Sequence, residues 1–273
     1  MLTLIGNLAL ILLISVSPSL KTPMYFFLCN LSSLDIIYTS VSSPKLIHIF
    51  ATNNGRISFT ECILQLFFFV SFWNTEYFLL TVMSYDRYVA ICKPLHYKMI
   101  MNWTLCTIAA GTSYLGNAIN PLMFALLTSK YSFCHSDQID HFFCEIRSLL
   151  ALSSSNTSSI EMVLFVEDIC LVFFTFLMIL TSYVCIIYAV FKVRTFKGRR
   201  KAFSSCSSHL MTVMLFYGPI IFLYIKPETE HSKEQDKVLS LLYVAVVPML
   251  NPFVYTLRNM EVIGAIRKVM HIR

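Results

Sequence analysis

The 273-residue sequence predicts an all-α membrane protein, a bundle of seven spanning helices followed by a short amphipathic helix at 259–271. Three observations carry that expectation. Apolar residues make up 56% of the chain and charged residues only 13%, about half the charged share of a water-soluble domain. Seven apolar segments approach or exceed the ~20 residues a helix needs to cross hydrocarbon, and none alternates as a barrel strand would. The third observation is charge: the breaks at Lys21, 87–98 and 192–201 and the tail from Arg258 hold 14 of the 21 Lys and Arg, against two acids, Asp86 and Glu261. The opposite breaks gather Glu61, Asp137, Asp140, Glu145, Glu228, Glu230, Glu234 and Asp236. Short basic loops stay in the cytoplasm, which with seven spans places the N-terminus outside. The net charge of +6 is thereby assigned to topology and anionic lipid, not to nucleic acid.

The apolar cores read 1–17, 24–50, 63–91, 105–127, 160–194, 203–225 and 238–257. The first has 17 residues before Pro18, close to the lower limit for a span, and no basic stretch precedes it as in a cleaved leader. The second opens Lys21-Thr22-Pro23-Met24-Tyr25-Phe26-Phe27-Leu28 and carries Asp35 in its middle; the third carries Glu76, eleven residues before Arg87. Ionisable side chains at such depth are costly and usually functional. The third ends in Met83-Ser84-Tyr85-Asp86-Arg87-Tyr88-Val89-Ala90-Ile91-Cys92, an acid and a base side by side at a membrane boundary. Two readings stand: a latch that holds Arg87 until helices separate, or an Arg snorkelling at a helix end beside an acid.

After the fourth segment, the loop 135–159 holds Cys144 and the sequon Asn156-Thr157-Ser158 on the outer face; Asn102-Trp103-Thr104 also matches but lies on the cytoplasmic side. The fifth segment contains Glu167-Asp168, which reads either as counter-ions for an amine or as residents of the water interface. The basic run 191–201 marks topology and touches anionic lipid. Pro219 and Pro252 kink the sixth and seventh segments, because each removes a backbone donor. Cys29, Cys106, Cys170 and Cys185 fall inside apolar runs and read as small buried thiols. No CxxC or HExxH spacing occurs, so no metal centre is expected.

The stretch 83–97, ending Lys93-Pro94-Leu95-His96-Tyr97, closely resembles the end of the third helix and the following loop of vertebrate olfactory receptors, a branch of the rhodopsin-like G-protein-coupled receptors. The likeness continues through Leu31-Ser32-Ser33-Leu34-Asp35, His141-Phe142-Phe143-Cys144-Glu145, the run 201–210 and Pro248-Met249-Leu250-Asn251-Pro252-Phe253-Val254-Tyr255. It implies an odorant receptor of the plasma membrane, not an enzyme. Such a receptor couples a small-molecule ligand to a stimulatory olfactory-type G protein and raises cAMP; the basic run 191–201 then meets that G protein as well. No cofactor is implied beyond an allosteric sodium ion. Gly6-Asn7 resembles the middle of the family's first helix, so the sequence is expected to be a partial chain or a truncated gene model, which leaves surface delivery open.

Several residue roles rest on the same resemblance. Cys62, at the outer end of the third helix, is expected to bridge to Cys144. Cys134 is left free or with another partner, since 152–155 has Ser where the family has a second Cys. Tyr114 stands where these receptors usually carry Trp. Asp35 and Glu76 beside Asn251 form either an oxygen-rich sodium pocket or a protonated pair sharing hydrogen bonds. Switching is assigned to Asp86, Arg87, Tyr88, Tyr183, Asn251, Pro252 and Tyr255, with Tyr183 and Tyr255 meeting around Arg87 when the sixth helix moves outward. The ligand pocket is assigned to Phe69, Val70, Trp73, Asn74, Glu167, Tyr217, Ile221, Tyr224, Leu241 and Val244; its mainly apolar walls suit a small, mainly apolar ligand. Two competing readings are a transporter or channel and a truncated product that does not traffic. The first would need internal repeats and a line of polar groups across the membrane, where only Asp35 and Glu76 stand.

Overall fold

The computed structural model describes all residues except 53, 130–138, 140, 151, 194, 226–240 and 270–273. Among the described residues the regular structure is helical: α1 (Leu2–Val16), α2 (Pro23–Thr52), α3 (Phe59–Cys92), α4 (Tyr97–Ile100), α5 (Trp103–Thr128), α6 (Ile146–Leu150), α7 (Ser158–Lys192), α8 (Phe196–Ile225), α9 (Val247–Arg258) and α10 (Met260–Val269). Tight turns at Pro18–Leu20 and Pro94–His96 and a π turn at Leu242–Val246 complete it. Seven of these helices, α1, α2, α3, α5, α7, α8 and α9, are the spans of a seven-helix membrane bundle. Most begin and end within a few residues of the apolar cores. Two depart: α8 starts at Phe196 rather than 203, because Lys and Arg are good helix formers and the helix continues through the basic run, and α9 starts at Val247 rather than 238, after the π turn. The two short helices α4 and α6 carry no periodic apolar signal in so few residues.

By length and apolarity alone, Pro23–Thr52, Phe59–Cys92, Ser158–Lys192 and Gly198–Phe222 suffice to cross a membrane. Leu2–Val16 and Val244–Thr256 are apolar but shorter, and α5 is long enough, at 26 residues, yet diluted by Thr, Ser, Gly and Asn. Large apolar side chains point away from the bundle: Phe173, Phe174, Met178, Val184 and Tyr188 on α7 are all exposed, as are Leu115 and Ile119 on α5. A soluble chain rarely presents so continuous an apolar surface; in lipid it is the expected face.

The helix α3 is the central post, touching α2, α5, α7 and α8, and its Leu79, Leu80, Met83 and Val89 have no solvent exposure. Its start is fixed by a reciprocal cap: Ser58 Oγ accepts from the Glu61 amide at 3.2 Å while Glu61 Oε2 accepts from the Ser58 amide at 3.1 Å. Asn102 caps α5 by accepting from the Leu105 amide at 2.8 Å, which gives the Asn102-Trp103-Thr104 sequon a structural purpose. The Tyr114 hydroxyl, which a Trp would lack, donates to the Asn30 carbonyl of α2 at 3.4 Å. Of the cysteines read as buried, Cys106 is buried and Cys29 and Cys185 partly so, but Cys170 is exposed: α7 turns that face outward.

The outer helices close the bundle. Asn7 Nδ2 on α1 donates to the carbonyls of Thr3 (3.0 Å) and Pro248 (3.1 Å), tying α1 to α9. One residue earlier, a Cβ on Gly6 would lie 2.9 Å from Pro252 Cγ, so only glycine permits this crossing. The amphipathic α10 buries Val262 and Ala265 and leaves Arg267 and Lys268 exposed. The Tyr25 hydroxyl anchors it, approaching Glu261 Oε2 at 2.8 Å and Asn259 Oδ1 at 3.2 Å. Gly6→Val is expected to destabilise the receptor by about 1–3 kcal/mol through overpacking against the rigid Pro252 ring. Thermal unfolding of the purified protein in detergent reads this as a lowered Tm, and an unchanged Tm refutes the tight crossing.

Candidate functional site

At one end of the bundle, Asp86 is fully buried. Its Oδ2 accepts from Arg87 Nε at 3.0 Å and Nη2 at 2.5 Å, and its Oδ1 accepts from the Tyr97 hydroxyl at 2.7 Å. The turn at Pro94–His96 makes this possible, since it reverses the chain after α3 and returns Tyr97, on α4, to the carboxylate. Burial, and then the Asp86 charge, hold the Tyr97 phenol well above its ordinary range, so it remains a donor. Arg87 is 13% exposed. The guanidinium is turned onto the buried acid beside it. The neighbouring Tyr88 ring lies 6.1 Å from that of Tyr85, with Lys93 Nζ 5.9 Å above it.

One turn further in, α3, α7 and α8 are joined through a residue the sequence reading did not single out. The Tyr183 hydroxyl meets His209 Nδ1 at 2.7 Å, and His209 Nε2 lies 3.2 Å from the Leu80 carbonyl oxygen. A carbonyl only accepts, so Nε2 carries the proton and Nδ1 accepts from Tyr183. His209 has no solvent exposure, and a lone His inside an apolar helix was the available signal. Tyr183 is thus engaged on His209 in this arrangement, while Tyr255, also buried, approaches Thr212 of α8.

In the middle of the bundle Asn251 Nδ2 donates to both Asp35 oxygens, at 3.3 and 3.1 Å. The Glu76 carboxylate interacts electrostatically with Asp35. Glu76 Oε1 and Asn251 Oδ1 are buried without a protein hydrogen-bond partner. Two orphaned acceptors beside a second carboxylate are a donor set that a hard cation fits, since each lacks the positive or donating group that burial demands.

At the opposite end Cys62 is bonded to Cys144. Gln65 reinforces the bridge: its Oε1 accepts from the Cys144 amide at 3.1 Å and its Nε2 donates to the Val41 carbonyl at 3.4 Å. The loop thereby drives Phe143 into the bundle, where its ring lies 4.7 Å from Phe69. Phe69, Val70, Trp73 and Val244 of the predicted pocket do come together here, with Tyr38 and Phe143 as unforeseen members. Trp73 links this cluster to a deeper one, 4.9 Å from Phe216, in which Tyr217 lies 5.5 Å from Tyr77 and donates to Thr175 Oγ1 at 2.8 Å. Ile221 packs on the same core, and Leu241 is partly buried. The Tyr224 side chain and Cys134 lie outside the described residues, as do Asp137, Asp140 and the acids at 228–236.

Glu167 and Asn74 do not share the central aromatic cluster. Both line a lateral cavity of about 520 Å³ between α3, α5 and α7, where Glu167 accepts from Asn120. Asp168 points elsewhere and pairs with Arg147 of α6 at 2.9 Å. Asn156 is exposed, with its Oδ1 accepting from the Ser158 amide at 3.0 Å.

The seven helices thus carry a buried acid–arginine pair at one end and a disulfide-pinned loop over the other. The sequence model of the olfactory receptor family matches residues 1–273. Human olfactory receptor 8D1 is 46% identical over 268 residues, covering 98% of this chain and 87% of that receptor. Mouse olfactory receptor 5AR1 is 44% identical, covering 97% and 86%, and mouse olfactory receptor 5AP2 is 44% identical, covering 98% and 85%. The chain belongs to the olfactory receptor family.

The Tyr183–His209 contact carries a stability test. Leaving a buried hydrogen-bonding group unpaired costs about 1–3 kcal/mol. His209→Phe is therefore expected to lower the Tm, and adding Tyr183→Phe to lower it little further, a non-additivity of about 0.5–3 kcal/mol. Strict additivity in the thermal-unfolding cycle refutes the bond.

Proposed function

We propose that this receptor binds a small, mainly apolar odorant in the half of the bundle under the disulfide-pinned loop and activates a stimulatory, olfactory-type heterotrimeric G protein, raising cAMP. It works in the plasma membrane with its N-terminus outside and the Arg87 end in the cytoplasm, where the exposed basic faces of α8 and α10 meet the G protein and anionic lipid. The buried Asp86–Arg87 pair is the observation that carries this reading. Such a pair is costly to separate while it remains buried, so it favours the closed bundle; outward movement of α8 breaks the His209 bridge, frees Tyr183 and Arg87, and opens a surface for the partner. Ligand binding needs only to favour the open form to shift the balance.

The same reading assigns Asp35, Glu76 and Asn251 to a sodium ion. That ion supplies the positive charge the two carboxylates need in the closed bundle, and the three side chains hold it between α2, α3 and α9.

Two measurements test these assignments. In cells with matched surface label, Tyr97→Phe removes a bond to a charged group that contributes about 1.5–3 kcal/mol to the closed form, so ligand-free cAMP is expected to rise about tenfold, while Arg87→Ala falls to the level of untransfected cells. Preserved signalling in Arg87→Ala overturns the latch. For the ion, raising NaCl at constant ionic strength is expected to raise the Tm of the purified receptor, an effect that Glu76→Gln removes; a sodium response that survives this change overturns the assignment.

A further inference from the structure

The lateral cavity between α3, α5 and α7 lies beside the central aromatic cluster, and its lining is sorted by chemistry along the helices. Its α7 wall runs from Glu167 through Phe174 to Met178, a descent of about 16 Å at 1.5 Å per residue, away from the disulfide end. The antiparallel α5 sets Asn120 level with Glu167 and Gly116 one turn deeper, and α3 adds Phe78 to the deep part. The amides and the carboxylate, Asn74, Asn117, Asn120 and Glu167, thus gather toward the disulfide end; below them lie Phe78, Phe174 and Met178, with Thr81 and Thr175, whose hydroxyls donate to the Tyr77 and Leu171 carbonyls of their own helices. Phe78, Phe174 and Met178 are exposed on the outside of the bundle, so the cavity opens sideways onto the face that lipid covers.

The two adjacent acids have different fates. Asp168 is neutralised by Arg147, whereas the hydrogen bond Glu167 makes among the described residues comes from a neutral amide, Asn120. A carboxylate at the polar mouth of an apolar cleft, beside hydrocarbon, is costly unless a cation compensates it. We propose that this cavity is a second ligand site, entered from the bilayer, for a single-chain amphipathic amine whose ammonium sits on Glu167 and whose chain lies along Phe78, Phe174 and Met178. An alcohol of the same length leaves the charge uncompensated, and a short amine leaves the apolar wall uncovered, so head and chain are both required.

The test uses the full receptor in phosphatidylcholine nanodiscs and radiolabelled dodecylamine as the probe; binding is read directly, so the outcome does not depend on G-protein coupling. Saturable binding is expected, with dodecanol and butylamine competing at least tenfold more weakly than unlabelled dodecylamine. Glu167→Gln is expected to weaken binding at least tenfold. Gly116→Phe should do the same with the carboxylate intact, because a Cβ at Gly116 meets nothing within 4 Å and its ring then fills the cleft. Asp168→Asn, which removes a carboxylate already paired with Arg147, should change affinity less than twofold. Melting curves verify that each variant is folded, and Met178→Trp replaces Gly116→Phe if the latter is not. Undiminished binding in Glu167→Gln overturns the proposal, as does loss in Glu167→Gln with full binding in the filled-cleft variant, which moves the amine elsewhere. Equal competition by dodecanol overturns it as well, by reducing the site to an apolar cleft.

Discussion

A carboxylate withdrawn from water has to be answered by donors, and Asp86 is answered by two residues that arrive from different directions. Arg87 comes from its own helix, Tyr97 from beyond a tight turn. That requirement fixes the path of the chain after α3, since the Pro94–His96 turn must bring the phenol to 2.7 Å of Oδ1. It also ties the central post of the bundle to the segment that follows it. The Tyr183–His209–Leu80 bridge one turn inward extends the same logic to α7 and α8: both ring nitrogens of the buried His209 are satisfied by neighbouring helices, so helix positions and these hydrogen bonds are a single arrangement. Breaking one contact leaves the others mispaired, which is what gives such an end two discrete states instead of a continuum.

The seven spans were legible in the sequence because the cost of unpaired backbone in hydrocarbon makes helices obligatory, and because apolar composition marks where they lie. The ion pair, the disulfide cysteines and the Asp35–Asn251 contact were legible from motif wording. The partners of Tyr97, Gln65 and His209 were not, although Tyr97 and His209 stand within those motifs. These partners lie 11, 79 and 129 positions away, and no local periodicity records them. Tyr38 and Phe143 escaped for the same reason. Phe143 enters the bundle only because the bridge at Cys144 and the Gln65 bond hold its loop down.

The predicted pocket residues divide by what surrounds them. Phe69, Trp73 and Val244 close on the loop, Tyr217 belongs to the deeper core, and Asn74 and Glu167 face sideways between α3, α5 and α7. Sequence spacing placed all of them at similar depth, but depth does not specify azimuth. Two adjacent helical residues point about 100° apart, and this alone separates Glu167, with its amide partner, from Asp168, with its arginine.

The contact between Gly6 and Pro252 has a directional consequence. Proline weakens α9 at that point, and a weakened helix can bend to several sides. With the α1 backbone against the ring and no side chain between them, the side facing α1 is closed. Bending at Pro252 is thereby confined to directions across or away from α1, toward the α2 and α8 flanks, so the smallest residue in the first helix serves as the stop that turns a loose joint into a hinge with an axis.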